Sequence, residues 1–396
     1  MATHRYWRLD LYHTNGGSIT SFGFSEIQMR DSVGGSDLTG SGTASASAVF
    51  TDNIAANAFD DNDSTRWISP NQNYPAWIKY DFGNGNAYDI VELVIRARGD
   101  GYGDESSPRN FVLSYSDDDA TYYPACAYIG LTWTDTETKT LNSGSAEYAA
   151  LVTGAKRYWK FYYAGVGANY RSGAEMELRE SVGGADVSGA GTASAMSETE
   201  HPASNLFDNN TATLWGTYDD SFYPHDECWV QYDFGSGNNK DIKQITWTNR
   251  NDGYLGEEPW GFFILCSDNG SDWGIAWADF DEDNWSAWAG GETRTYTGVY
   301  DVTAVDVPTI LPVSGAYLAS QLISMSCATS GASIYYTDDG STPDSGDNLY
   351  SAPFTLGTAK TIKAIGIKTG LTDSDIATNV YTIATIAPQP IITIMT

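Results

Sequence analysis

Two short acidic turns hold the chain's densest grouping of oxygen donors. Asp60, Asn62 and Thr65 fall within Phe59-Asp60-Asp61-Asn62-Asp63-Ser64-Thr65, and Asp208, Asn210 and Thr213 recur at the same spacing. A hard cation such as calcium takes roughly six to eight oxygens from carboxylates, amides, hydroxyls and carbonyls, which such a turn supplies in part. The same residues can also form an Asx-turn closed by its own hydrogen bonds. A second group suits sugar recognition, which sets an aromatic face against a ring and a few planar polar groups against hydroxyls. The candidates are Tyr74, Arg98, Tyr102 and Arg109 in the first half, and Tyr218, Phe222, Tyr223, His225, Arg250 and Tyr254 in the second. Loop aromatics also pack on neighbours or on another subunit, so both readings stand.

Patterns that would mark catalysis are missing. His4, His13, His201 and His225 form no H-E-x-x-H pair, and there is neither a G-x-S-x-G elbow nor a phosphate-cradling glycine loop. Asp279-Phe280-Asp281-Glu282-Asp283-Asn284 imitates the start of a helical-hand calcium loop. It carries Asn284 where glycine is needed and Gly290 at position twelve, so a solvated acidic turn is expected. The Asn62 and Asn209 sequons read as turn residues. Trp67, Trp77, Trp215 and Trp229 sit in strand-like contexts that favour core packing over sugar stacking. The expectation is a protein that is not an enzyme.

Composition narrows the class further. In 396 residues, 51 Asp and Glu against 21 Lys and Arg give a net charge of -30, which repels phosphate backbones and argues against nucleic acid. With 41% hydrophobic and 13% aromatic residues, the chain can build real cores and is not a disordered acidic tail. No apolar run reaches bilayer length, so membrane insertion is not expected. Cys126, Cys228, Cys266 and Cys327 are few and scattered, without a C-x-x-C pair, and read as free buried thiols. The residues from Met1 to Trp7 show no secretory signal, so synthesis without conventional export is expected.

The elements that position these turns come in two copies. Arg5-Tyr6-Trp7-Arg8 returns as Arg157-Tyr158-Trp159-Lys160, and Asp31-Ser32-Val33-Gly34-Gly35 as Glu180-Ser181-Val182-Gly183-Gly184. Gly42-Thr43-Ala44-Ser45-Ala46, Tyr80-Asp81-Phe82-Gly83 and Asp100-Gly101-Tyr102 recur in the same order. The copies span 1–153 and 154–305. Short alternating segments such as Trp77-Ile78-Lys79-Tyr80 and Trp229-Val230-Gln231-Tyr232 lie between turn-forming residues, so each copy reads as a β-sandwich. A third domain over 306–386 begins where Trp disappears. Its Ser333-Ile334-Tyr335-Tyr336-Thr337 strand precedes an Asp339-Gly340 turn. In the tail, 387–396, Ile391-Ile392-Thr393-Ile394 is either a strand or a frayed end.

The segment from Ala58 to Trp67, followed by Trp77-Ile78-Lys79-Tyr80-Asp81-Phe82-Gly83, resembles the discoidin family, also called coagulation-factor C-terminal or galactose-binding-like domains. The second copy repeats it from Asn205 to Trp215 and from Trp229 to Gly235. This resemblance implies all-β jelly-roll sandwiches whose loops at one end bind ligand. It adds the carbonyls of Asn57 and Ser25 and the carboxylate of Glu26 to the first turn, and Asn205, Ala174 and Glu175 to the second, as ligands of a structural Ca2+. The Arg-Tyr-Trp strand normally closes such a domain but here opens each copy, so a permuted boundary is expected. Contact of Glu26 with Asp60, as opposed to Asp208, would distinguish this from the unpermuted order. Residues Ile334 to Pro343, with Tyr350, Pro353 and Tyr381, look like the immunoglobulin-like domain at the carboxyl end of chitobiases.

The functional expectation is a non-enzymatic virion or adhesion protein, a bacteriophage tail fibre or capsid decoration binding host-surface glycans. Its partners would be cell-surface glycans and other virion proteins, in a homo-oligomer on the virion surface. The alternatives are a purely architectural virion protein and the accessory part of a glycoside hydrolase.

Overall fold

A computed structural model describes residues 3–15, 21–70, 76–164, 171–198, 201–217, 228–253, 259, 261–279, 288–298, 305, 307–327, 329, 331–368, 371, 373–374 and 376–383. Tyr74, Tyr218, Phe222, Tyr223, His225 and Tyr254, the acidic segment 280–284 and the tail 387–396 lie outside the described residues. The chain divides into two compact units, Met1–Tyr300 and Asp301–Thr396.

The first unit holds both copies. Copy one contributes β1 (Tyr6–Thr14), β2 (Gly23–Arg30), β3 (Thr43–Ala46), β4 (Trp67–Ile68), β5 (Ala76–Asp81), β6 (Glu92–Ala97), β7 (Pro108–Ser116), β8 (Tyr123–Tyr128), β9 (Thr138–Asn142) and β10 (Tyr148–Ala150). They pair as one sheet, β10-β8-β7-β1-β5-β3, and a second, β4-β2-β6-β9. Side chains alternate as strand geometry requires. Ala76, Ile78 and Tyr80 of β5 point into a core shared with Trp7, Leu9, Ile27, Leu93 and Phe111, while Lys79 and Asp81 point out.

Copy two repeats the plan with β11 (Tyr158–Ala164), β12 (Arg171–Gly173), β13 (Glu175–Arg179), β14 (Thr192–Ala195), β15 (Trp215–Thr217), β16 (Trp229–Asp233), β17 (Gln244–Thr248), β18 (Gly261–Ser267), β19 (Gly274–Asp279) and β20 (Thr293–Thr297). Its sheets are β14-β16-β11-β18-β19, β12-β15 and β13-β17-β20. The pair β12 and β13 occupies the place of β2, interrupted at Ala174.

The Arg-Tyr-Trp strand is central in each copy. β1 is hydrogen-bonded antiparallel to both β5 and β7, with Trp7 opposite Tyr80 and Tyr115. β11 stands in the same way between β16 and β18. β2 pairs with β4 and β6 of its own copy, so Glu26 stands near Asp60 and Asp61, and Glu175 accepts a hydrogen bond from the Asn210 amide. The strand that opens each copy therefore completes that same copy. Beside it, the Arg5 guanidinium grips Asp81 through two hydrogen bonds of 2.7 and 2.8 Å, and Arg157 grips Asp233 through two of 2.7 Å.

A feature without a signal in the motifs is the contact between the copies. Tyr12, Val112, Ala127 and Ala149 alternate out of the first core and form a separate buried cluster with Tyr162, Phe263, Leu265 and Ile275 of copy two. Phe263 stacks on Tyr162 at 4.6 Å between centroids and leans on Tyr12 at 4.9 Å. Trp229 packs at the edge of this cluster. Trp77 and Trp229 thus depart from the core placement expected of them. Both share a strand face with outward residues, because the inward positions of their strands go to Ile78 and Tyr80 and to Val230 and Tyr232. Trp67 and Trp215 are fully buried, as expected.

The second unit is a smaller sandwich of β21 (Thr309–Leu311), β22 (Gly315–Tyr317), β23 (Gln321–Ser326), β24 (Ser333–Thr337), β25 (Asn348–Leu349), β26 (Phe354–Leu356), β27 (Lys360–Ile367) and β28 (Ala377–Ile383). The sheets β21-β23-β26 and β22-β28-β27-β24-β25 enclose Ile310, Ile323, Ile334, Leu356, Ile362 and Tyr381. Gly340 has a φ of 84°, and Asp339 accepts the Ser341 amide at 2.9 Å, so the Asp-Gly pair does turn the chain. It opens a loop that leads to β25. Cys126, Cys228 and Cys266 are buried, Cys327 is half-buried, and all four are thiols outside any disulfide.

Two predictions follow from this packing. Phe263→Ala removes the central ring between the copies and is expected to cost about 3–5 kcal/mol, with calorimetry showing the copies unfolding in separate steps. The Arg5 clasp holds the Asp81 carboxyl below its usual range, so its stabilisation is present above the ordinary carboxylate pKa and is lost as pH falls through the depressed value. Asp81→Asn should accordingly lower Tm at pH 7 and flatten the acid limb of the Tm profile.

Candidate functional site

The acidic turn of copy one follows a 3-10 turn at Ala55–Ala58, anchored by buried Ala58 and Phe59. Asp61 adopts a φ of 54°, and Asn209 in copy two one of 57°, a left-handed conformation that Asp and Asn tolerate better than other side chains. Asp60 Oδ1 accepts the Asn62 amide at 3.0 Å, and Thr65 Oγ1 donates to Asp60 at 2.8 Å. Asn62 Oδ1 accepts the Ser64 amide at 3.2 Å. The Asn57 side chain donates to the Arg66 carbonyl at 3.1 Å and shuts the base of the loop. In copy two Asp208, Asn210 and Thr213 repeat these bonds at 2.9, 2.8 and 3.2 Å, and Asn205 donates to the Leu214 carbonyl at 2.8 Å.

These bonds account for the turn residues but not for the glutamate behind them. Glu26 is buried, its Oε2 has no hydrogen-bond partner, and burial followed by repulsion from Asp61 pushes its carboxyl up to about 8. Glu175 is the same case: buried, with Oε1 unpartnered and its carboxyl pushed up to about 8, chiefly by burial. An orphaned carboxylate oxygen in a closed site is costly, and two copies place one at the same point. The β2 ladder skips Ser25 in a register shift between Phe24 and Glu26, and buried Ala174 interrupts the equivalent strand pair in copy two. Such bulges re-aim the backbone. Glu26, Asp60, Asn62 and Thr65 therefore meet at one rim, and Glu175, Asp208, Asn210 and Thr213 at the equivalent one. Among the described residues no three Asp, Glu, His or Cys side chains cluster as metal ligands. The donors at this rim are mixed, one buried Glu and one Asp with amides, a hydroxyl and main-chain carbonyls, which is the set a hard cation takes and a thiophilic one does not.

Of the residues expected to meet a sugar, Arg98 and Arg250 lie beside the turns. Arg98 is buried, donates to Asp100 at 2.6 Å and lies 5.4 Å from the ring centre of exposed Tyr102. Arg250 donates to Asp252 at 2.7 Å and reaches Ser172 at 3.4 Å. Arg109 stands on the inward-facing side of β7, in line with Phe111 and Leu113, at the other end of the loop that carries Arg98 and Tyr102. The motif reading missed Asp63, Arg66 and Arg96. Arg66 pairs with Asp100 at 2.8 Å and Arg96 with Asp63 at 3.2 Å, tying the acidic turn to its neighbours. Comparing the copies position by position would have found them, because their counterparts are Thr211, Leu214 and Thr248. In copy two those three residues line cavities. One of about 350 Å³ runs between Thr211, Leu214, Arg250 and Asp252, and another of about 470 Å³ lies over Glu177, Thr248, Asn249 and Thr293.

Comparison with known proteins agrees with this geometry. Residues 41–163 match the F5/8 type C domain, the discoidin type, and residues 312–378 match the chitobiase/beta-hexosaminidase C-terminal domain. The chain carries both domain types. The first match runs from the approach to β3 into β11, a strand that hydrogen-bonds within copy two, so the family's linear order and the spatial pairing differ by one strand. No curated protein matches. Among solved structures, one described as a biofilm associated protein, BSP domain, aligns over 98% of this chain and 92% of its own at 11% identity, with a TM-score of 0.15. A likeness that low supports no conclusion about fold or function.

Glu26→Gln and Glu175→Gln should each stabilise chelator-treated protein at pH 7 by on the order of 1–2 kcal/mol, since each removes the cost of keeping a buried carboxyl protonated above its ordinary pKa. The raised carboxyl destabilises the fold only above the ordinary carboxylate pKa, and increasingly so as pH climbs towards about 8. The gain should therefore vanish below about pH 4 in thermal melts.

Proposed function

We propose that this chain is a non-enzymatic glycan-binding protein in which each discoidin-type sandwich holds one structural calcium ion. The observation that carries the ion is the unpartnered glutamate oxygen standing behind the same oxygen-rich turn in both copies. Glu26, Asp60, Asn62 and Thr65, with the carbonyls of Asn57 and Ser25, would hold it in copy one. Glu175, Asp208, Asn210 and Thr213, with those of Asn205 and Ala174, would hold it in copy two. Bound there, the ion supplies positive charge to buried carboxylates and fixes the rim loops; no bond-making step is assigned to it.

The glycan reading rests on the two domain types, both of which are binding or accessory modules, and discoidin domains generally bind carbohydrates. Arg98 with Tyr102 and Arg250 with Asp252 supply planar groups and an aromatic face at the rim. We place the protein on a virion surface, as a bacteriophage tail-fibre or capsid-decoration component in a homo-oligomer. Weak sites gain avidity when many chains share one particle, and an acidic, hydroxyl- and amide-rich exterior suits that setting. A second reading, architectural contact with other virion proteins, is favoured by the exposed Val313, Leu318 and Leu322 of the second unit, which are 67%, 80% and 62% accessible.

A glycan array run with calcium and with chelator separates the two. Calcium-dependent binding is expected, together with no turnover of a chromogenic glycoside panel and a Tm that rises with calcium for wild type but not for the Glu26→Gln/Glu175→Gln double variant. Absence of sugar binding in both conditions, with tight incorporation into particles, would favour the architectural reading.

A further inference from the structure

We propose, resting on the glycan-binding reading above, that the second sandwich carries the saccharide site and the first is closed, because two arginine clasps present in the first are missing from the second. The frame around the clasps is the same in both. Asp60 and Thr65 recur as Asp208 and Thr213, and the Arg98 and Asp100 pair as Arg250 and Asp252.

What differs is the side chains that cross between the acidic turn and its surroundings. In copy one Arg66 reaches from the end of the turn to Asp100 at 2.8 Å. Arg96, on β6, bridges Asp63 at 3.2 Å and the Thr138 hydroxyl at 3.0 Å. A ligand entering there would have to break two ion pairs and strip water from four charges. In copy two Leu214 replaces Arg66, Thr211 replaces Asp63 and Thr248 replaces Arg96. Thr248 hydrogen-bonds across to Thr293 at 2.8 Å, lying along the sheet where the arginine spans the gap.

The space so released is the pair of cavities of about 350 and 470 Å³, which share Thr211 and Asn251. Each is within the roughly 300–1,000 Å³ of small-molecule sites. The walls set the ligand class. Hydroxyls of Thr211 and Thr248 and the amide of Asn251 offer donors and acceptors, and Arg250 is engaged by Asp252. Glu177 is paired with Arg179 and Asp252 with Arg250, so neither arginine of the lining is left over for a phosphate or uronate group. A neutral, hydroxyl-rich saccharide fits this lining.

The test transplants the clasps. Full-length wild type and the variant Thr211→Asp/Leu214→Arg/Thr248→Arg are titrated, in calcium, against immobilised galactose-, N-acetylglucosamine- and glucose-terminated oligosaccharides, with near-ultraviolet circular dichroism to check folding. Wild type should bind at one site per chain and the variant should lose binding. If Leu214→Arg disturbs the fold, Thr248→Arg alone, at an outward strand position, should give the same loss. Asp63→Ala/Arg66→Ala in copy one should leave wild-type binding intact. Retained binding in a folded clasp variant overturns this assignment while leaving the glycan reading in place. Failure of wild type to bind any of the oligosaccharides overturns both.

Discussion

A strand hydrogen-bonded along both edges fixes the register of everything beside it, and in each sandwich that strand is the Arg-Tyr-Trp segment. β1 sets β5 and β7 in register at once, and β11 does the same for β16 and β18. Its inward side chains, Trp7 and Leu9 or Trp159 and Phe161, fill the middle of each core. Its arginine clasps the aspartate at the end of the neighbouring strand. Slipping this strand by one residue would turn the tryptophan outward and part the clasp together, so register is doubly specified.

The rim follows from that placement. The strand after Arg-Tyr-Trp brings a glutamate to the back of the acidic turn of its own sandwich, and the irregularity at Ser25 or Ala174 lets it stay there without a full set of protein partners. A chain with a formal charge of -30 gains little from burying further acid, and the buried glutamate oxygen left unpartnered in both copies is the feature on which the proposed ion rests. Around this shared frame, three substitutions at clasp positions alter the shape of the mouth while Asp60, Asn62 and Thr65 keep their counterparts in Asp208, Asn210 and Thr213.

Much of this was readable from sequence, for physical reasons that differ by feature. The acidic turns were legible because Asp, Asn and Thr at that spacing have few structural alternatives, and the strands because turn residues bracket alternating segments such as Trp77 to Tyr80. That same alternation should have placed Trp77 opposite Ile78; reading a large aromatic as core by type overrode its phase. The seam between the sandwiches was hidden because Phe262-Phe263-Ile264-Leu265 is apolar at every position. Such a run is consistent with burial on both faces but does not say what covers the second. The clasps escaped because Asp63, Arg66 and Arg96 are ordinary charged residues singly, and acquire meaning only where the partner copy lacks them.

The order of strands also bears on synthesis. Because each sandwich begins with its central strand, β5 and β7 of copy one meet β1 before β11 has emerged, although Arg157-Tyr158-Trp159 could fit the same slot. Vectorial emergence from the ribosome therefore gives the proper strand a head start over its near-duplicate. Refolding of the intact chain from denaturant has no such head start, and the two strands then compete for one position.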